Sequence, residues 1–290
     1  MAALELMMLS AAWGASFLFL RVAAPHLGPF TLIALRVGVA ACMLLPVLRS
    51  ASVRRQWRGN ARHMLVFGTT GAALPFTLYA TASLQLGAGF ESVLNATTPL
   101  WAAVIGAGWF GAPLRRPQVA GLILGWSGVI LLVGLERTGG VAMHLGLVAL
   151  ALLASMCYGF SIQYARRHLS HANPVLTTFG SQASAFMLLA LPALLTWPSQ
   201  AVAWQIWLCA VALGMLCTGF AYVLFFRLVA RAGAAYAASS GFLVPVFGML
   251  WGHIFLREAV TLPMLAGCAL ILLGTWLAKG RLEPAPAPRP

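Results

Sequence analysis

Arg36 stands inside a long apolar run, PFTLIALRVGVAACML, with no other Arg, Lys, Asp or Glu between Arg21 and Arg49. An arginine near the centre of a bilayer costs about 2.5–3.5 kcal/mol on insertion scales, so it is expected to face the interior of a helix bundle. Two roles fit it. It can contact a substrate carboxylate, or it can tie its helix to backbone carbonyls and a Glu. Glu91 is the other charge placed to do chemistry. Asn95 lies one helical turn deeper on its face, and Pro99 follows at i+8. Glu91 and Arg36 enter from the same side and are placed to pair. A proton-coupling or substrate-amine site is one reading of Glu91; an interfacial Glu reaching headgroups is the other. Glu5 reads as interfacial, and Glu136 and Glu283 fall in a loop and a tail.

Polar and aromatic side chains recur inside the apolar runs. They include Trp13, Ser16, Tyr79, Asn95, Trp101, Tyr158, Gln163, Gln182, Tyr222, Ser239, Ser240, Trp251 and His253. Taken singly, each is as readily a packing residue, and His253 reads as interfacial. A cavity rich in aromatics and poor in charge suits amphipathic zwitterions or apolar amines.

Other chemistries are absent from the pattern. There is no phosphate-binding GxxxxGK[ST] motif and no HExxH. The single lysine, Lys279, ends an apolar run, so no mid-helix Schiff base is expected. Cys42, Cys157, Cys209, Cys217 and Cys268 show no C-x-x-C spacing or His cluster, and read as small packing residues. No cofactor and no metal are expected, and a carboxylate-based Na⁺ site is disfavoured by the lack of Asp. Facilitated diffusion, or proton coupling through Glu91, remains.

The elements that must carry these residues follow from composition. Of 290 residues, 61% are hydrophobic and 8% charged, against roughly 25% charged in a soluble domain. Only an apolar solvent removes the need for a charged surface. A net charge of +13 would fit nucleic acid, but most arginines lie in short gaps between apolar runs, where they set orientation instead. A spanning helix needs roughly 20 apolar residues. Ten candidates lie near 4–21, 29–48, 63–84, 89–110, 117–135, 143–165, 174–196, 204–228, 234–256 and 261–279. The first is expected to be a retained helix, not a signal peptide. Residues 281–290 (RLEPAPAPRP) are expected to be disordered.

Ten spans put both termini on one side. If that side is the cytoplasm, Arg49, Arg54, Arg55, Arg58, Arg62, Arg115, Arg116, Arg166, Arg167, Arg227, Arg231, Lys279, Arg281 and Arg289 are inside, and Arg21, Arg137 and Arg257 outside. That bias obeys the positive-inside rule.

The two halves also repeat. At an offset of 146, Gly87-Ala88 falls on Gly233-Ala234, Pro99 on Pro245, Gly106 on Gly252, Pro117 on Pro263, Gly121 on Gly267 and Gly128 on Gly274. At 145, Gly14 falls on Gly159, Arg21 on Arg166 and Pro29 on Pro174. These residue types fix backbone geometry and close packing. Five helices per copy is an odd number, so the copies enter the membrane from opposite sides, as in many secondary transporters. The basic GAPLRRP loop and its counterpart LREAVTLP, with a neutralised Arg257–Glu258 pair, fit opposite sides. Gly121/Gly125/Gly128 and Gly248/Gly252 read as packing faces within the bundle. Pro75, Pro99 and Pro245 are placed to bend their helices.

AAWGASFLFLRVAAPHLGPFTLIALRVGVA, LGAGFESVLNATTPLWAAVIGAGWFGAPL and LREAVTLPMLAGCALILLG resemble the drug/metabolite transporter superfamily, in its EamA-type branch, over about residues 4–279. Trp13-Gly14 and Arg36 match that pattern. GAPLRRPQVAG departs from it by lacking an acidic residue. The resemblance implies ten helices in two inverted five-helix repeats, 1–139 and 140–280, around a central cavity. It implies that the helices holding Trp13, Ser16, Tyr79, Glu91, Asn95, Trp101, Tyr158, Gln163, Tyr222 and Ser239 line that cavity, and Arg36, on the second helix, is the further candidate.

The reading is an all-α integral membrane protein of the bacterial inner membrane, with cytoplasmic termini, monomeric or weakly dimeric. Its expected partners are a small-molecule substrate and the lipid bilayer. It is read as a secondary transporter, not an enzyme, most simply an exporter of amino acids or related metabolites. Broad drug or amine efflux and metabolite import are the rivals within transport. A lipid flippase or membrane enzyme is the rival class.

Overall fold

The computed structural model describes residues 1–135 and 141–279, with the backbone alone at 141, 142 and 279. The expected loop holding Glu136 and Arg137 and the tail 281–290 lie outside the described residues. The described chain is helical throughout its regular structure. In order come α1 (Ala2–Leu27), α2 (Pro29–Leu44), a 3₁₀ turn (Leu45–Arg49), α3 (Ala51–Gly68), a π-helical turn (Thr69–Ala73) and α4 (Leu74–Ala82). Then follow α5 (Ala88–Asn95), α6 (Thr98–Gly108), α7 (Arg116–Leu135), α8 (Val141–His168) and α9 (Pro174–Leu195). The chain ends with α10 (Trp204–Gly214), a second π turn (Met215–Phe220), α11 (Ala221–Ala232), α12 (Ala234–Ala237), α13 (Ser240–Leu256) and α14 (Leu262–Lys279).

Among the described residues, eight helical runs are long and apolar enough to cross a bilayer, and Leu262–Ala278 is a shorter apolar helix. The run expected at 89–110 is divided between α5 and α6. Ile123, Ile130, Leu194 and Leu195 on the outer surface are 68–78% exposed. Bare aliphatic surface of that kind is stable in lipid. The chain is a multi-pass membrane protein. Trp109, Trp204 and Trp276 are also largely exposed near helix ends, where indole rings suit the interface.

Three features depart from the expected boundaries. The basic stretch before residue 63 is helix: Ala51–Ala82 is one helical run. Val53 and Trp57, at i and i+4, turn towards α9, where Trp57 lies 5.0 Å from Phe179. The arginines Arg55, Arg58 and Arg62 take the exposed face. Arg54 donates to Leu48 O and Arg49 O, closing the turn before the helix. Next, the α5–α6 break lies just ahead of Pro99. Pro99 has no N–H to offer Asn95 O, and the turn tightens through Ala96 N→Val93 O and Thr97 N→Leu94 O. Pro245 instead sits inside continuous α13. Finally, Glu5 gains partners that its place in the sequence did not show. Its Oε1 lies 2.7 Å from Arg231 and 3.2 Å from Arg227, joining the start of α1 to α11.

Close helix approaches rest on glycine. A Cβ at Gly14 would stand 2.7 Å from Phe247 Cβ, and one at Gly159 would stand 2.8 Å from Trp101 Cβ. These contacts join α1 to α13 and α8 to α6. A Cβ at Gly68 would meet Ser181 O at 2.6 Å, and one at Gly214 would meet Arg36 O at 2.8 Å. Each of those glycines ends the helix just before a π turn. Gly121 and Gly128 of α7 face Gly274 and Gly267 of α14, so that glycine stripe packs within the bundle.

Candidate functional site

Arg36 emerges from α2 into the middle of the bundle and is 5% exposed. Its Nε donates to Thr218 Oγ1 at 2.9 Å, on the second π turn. Its Cζ lies 3.6 Å above the ring centroid of Phe76, from α4. Tyr158, Cys217 and Tyr222 are its electrostatic neighbours. Helices α2, α4, α8 and α11 thus converge on one guanidinium.

Aromatic rings extend this centre. Trp13 of α1 lies 6.3 Å from Tyr222, edge-on, and 5.6 Å from Phe225. Tyr158 stacks on Tyr79 at 6.2 Å and meets Phe76 at 6.1 Å. Phe17 meets Tyr79 edge-on at 5.5 Å. The Tyr79 hydroxyl is 2.7 Å from Ser155 Oγ and donates to Asn95 Oδ1 at 3.3 Å. Ser155 Oγ in turn donates to Leu94 O at the α5–α6 break. Trp13, Arg36, Tyr79, Asn95, Tyr158 and Tyr222 therefore form one contiguous group. Ser16 is buried one turn from Trp13 on α1.

Other expected residues lie apart from it. Gln163 Nε2 donates to Ala102 O at 2.7 Å, stapling α8 to α6. Trp101 packs edge-on against Trp126 of α7 at 4.8 Å. Ser239 Oγ donates to Tyr236 O, closing the turn between α12 and α13. Glu91 does not pair with Arg36. It is fully buried on the first turn of α5, and its Oε2 accepts from Ser83 Oγ at 2.6 Å. The Arg21 guanidinium lies beside it, donating to Ser83 O and Leu84 O. Glu258 does not neutralise Arg257 either. Its carboxylate accepts from Ala88 N at 2.9 Å and Gly89 N at 3.1 Å. It turns inward because Arg257, at φ 55°, closes α13 in a left-handed turn.

Thr218, Phe76, Phe225 and Ser155 escaped sequence reasoning. Phe76 and Phe225 carried a usable signal: each stands three residues from a tyrosine, Tyr79 or Tyr222, on one helical face. Thr218, in CTGF, carried none. Among the described residues no cluster of three or more His, Cys, Asp or Glu could hold a metal ion.

The arrangement sets aromatic faces beside a fixed positive charge. Comparisons with known proteins bear on what such a centre does. The EamA-like transporter family model matches residues 1–134 and 145–279. An uncharacterized transporter of Archaeoglobus fulgidus is 23% identical, over 91% of this chain and 94% of its own. A probable terminal-alkyne amino-acid exporter of Streptantibioticus cattleyicolor is 25% identical, over 93% of this chain and 90% of its own. A crystal structure at 22% identity shares the fold, with a TM-score of 0.66 over 96% of both chains.

Proposed function

The chain belongs to the EamA-like transporter family, and on that footing we propose that it exports amino acids or related small metabolites by alternating access across the bacterial inner membrane. In this reading the chain crosses ten times with both termini in the cytoplasm. Residues 1–139 and 140–280 form an inverted pair of five-helix repeats around the Arg36 centre.

One observation carries the proposal: packing contacts recur with their partners exchanged. Gly14 lies against Phe247 and Gly248, while Gly159 lies against Trp101 and Ala102, the residues 146 positions earlier. Ser10 Oγ donates to Ser240 O, and Ser155 Oγ donates to Leu94 O. Gly68 faces Ser181 O, and Gly214 faces Arg36 O. The π turns begin at Thr69 and Met215, again 146 apart. Two halves that meet through interchangeable contacts are suited to a second arrangement in which their roles are exchanged. A rocking transporter needs that property.

The amino-acid assignment draws on the named exporter relative and on the chemistry of the centre. It is tested by tracer counterflow in proteoliposomes loaded with unlabelled amino acids. Uptake of labelled amino acid above the empty-vesicle background is expected. If no amino acid exchanges and an apolar amine does, the cargo class is wrong.

A further inference from the structure

We propose that Arg36 is the carboxylate anchor of the cargo site, which makes that cargo a small carboxylate with an apolar or aromatic body and disfavours a net-cationic amine. The inference rests on the transport reading and narrows it.

A guanidinium carries five N–H donors in a planar fork. Here only Nε is used, on Thr218 Oγ1. Among the described residues neither terminal nitrogen has a hydrogen-bond partner, and no carboxylate lies within ion-pair distance. The described acids are committed elsewhere: Glu5 to Arg227 and Arg231, Glu91 to Ser83, Glu258 to the amides of Ala88 and Gly89. The Phe76 ring lies 3.6 Å from Cζ and offers a π face, which is no hydrogen-bond partner for the terminal nitrogens. The two terminal nitrogens are not among the fully enclosed polar atoms that lack a partner, so an incoming group can reach them. The ligand that matches those donors is a carboxylate, through two parallel N–H···O bonds.

A purely structural role does not require arginine at this station. The residue in the corresponding position is Ser181, 145 residues on. It supports the same close helix approach, with Gly68 against its carbonyl as Gly214 is against the carbonyl of Arg36. The packing works with a serine; the charge is extra. Around it stand Tyr158, Tyr222, Trp13 and Tyr79, with no described carboxylate among them. An ammonium in this centre meets ring faces and neutral hydroxyls and amides, among them Tyr79, Asn95, Ser155 and Thr218, but no described carboxylate. A carboxylate has a dedicated fork. Zwitterionic amino acids and simple monocarboxylates share that chemistry.

The test is thermal stabilisation of the purified protein in detergent by phenylalanine, 3-phenylpropionate and phenethylamine. Wild type is compared with R36K, R36Q and T218V. Both carboxylates are expected to stabilise wild type, and phenethylamine is not. R36Q is expected to weaken both at least tenfold. R36K keeps the charge without the fork and falls between. T218V frees Nε and weakens both carboxylates several-fold, and stands in if R36Q does not fold. Stabilisation by phenylalanine alone, lost in R36Q, assigns a zwitterion; stabilisation by 3-phenylpropionate alone, lost in R36Q, assigns a monocarboxylate. The anchor is overturned if phenethylamine matches the acids, if R36Q binds them like wild type, or if no acid binds. Amino-acid counterflow that survives R36Q removes the anchor and keeps the export reading. Arg36-dependent binding of 3-phenylpropionate with no amino-acid counterflow does the reverse.

Discussion

At the start of α5 two backbone amides, Ala88 N and Gly89 N, point at the carboxylate of Glu258, which arrives from the turn between α13 and α14. Helix N-termini leave such amides without intrahelical partners, and the helix dipole favours a negative charge there. The fit is tight: a Cβ at Gly252 would stand 2.5 Å from Glu258 Oε2, and one at Gly87 would stand 3.0 Å from it. Removing an N-terminal cap costs typically ~1 kcal/mol and up to about 2. Glu258→Ala is therefore expected to lower the melting temperature in detergent. Glu258→Gln should cost less, since the amide keeps one acceptor oxygen. An unchanged melting curve for Glu258→Ala would show that the cap contributes nothing. Neither this tie nor the Glu91–Ser83 bond was legible from residue type. A charge in the sequence marks a helix end or a loop, but which buried amide or hydroxyl it meets depends on a helix brought in from elsewhere in the chain. Arg36 was legible, because a lone charge in an apolar run has to face inward.

Helices were legible where their signal is local. Pro99 marked a bend in one expected helix, and the missing N–H acts within its own turn, but the full α5–α6 break was not read from it. The π turns were not legible: the first precedes Pro75, but the second is followed by Ala221 and needs no proline. Both follow a glycine pressed against a carbonyl of another helix, so the cause is tertiary. The α3 extension was hidden by its arginines, although Val53 and Trp57 already had helical spacing. The glycine stripe of α7 and α14 was legible and sets an element-scale prediction. A Cβ at Gly274 would meet Gly121 O at 2.5 Å and also the amide of Gly125. Both are backbone atoms, so Gly274→Ala cannot be relieved by a rotamer change. Overpacking costs about 1–3 kcal/mol. Gly59 on α3 has open space around it, and there alanine should gain up to about 1 kcal/mol of helix propensity. Thermal melts of the two variants should move in opposite directions. If Gly274→Ala melts like wild type, α7 and α14 are not in the described contact.

For the molecule as a whole, the proposed inverted pair makes the two ends comparable, and they are unequal. The backbone turn after α13, Glu258 N→Gly252 O, has a counterpart after α6, Ala112 N→Gly106 O, at an offset of 146. Glu258 reaches from the first turn to the start of α5. Ala112 stands in its place on the second and offers nothing to the start of α12, where Gly233 (φ 87°) precedes Ala234 and Ala235. One of the two turns thus sends a carboxylate to a helix start and its counterpart does not, although Glu5 ties α1 to α11 near that second end. In a transporter with two arrangements of similar energy, a tie worth ~1 kcal/mol shifts the balance about five-fold, since 1.4 kcal/mol is tenfold. Ala112→Glu should install the missing cap. The expected result is a higher melting temperature and slower counterflow, because the contact that stabilises the described arrangement must break in each cycle. Ala112→Gln matches the size without the charge and should do less of both. Combining Ala112→Glu with Glu258→Ala moves the tie from one end to the other, so its melting temperature should return towards wild type. If Ala112→Glu and Ala112→Gln behave alike, no carboxylate reaches α12, and the correspondence between the two turns is confined to the backbone.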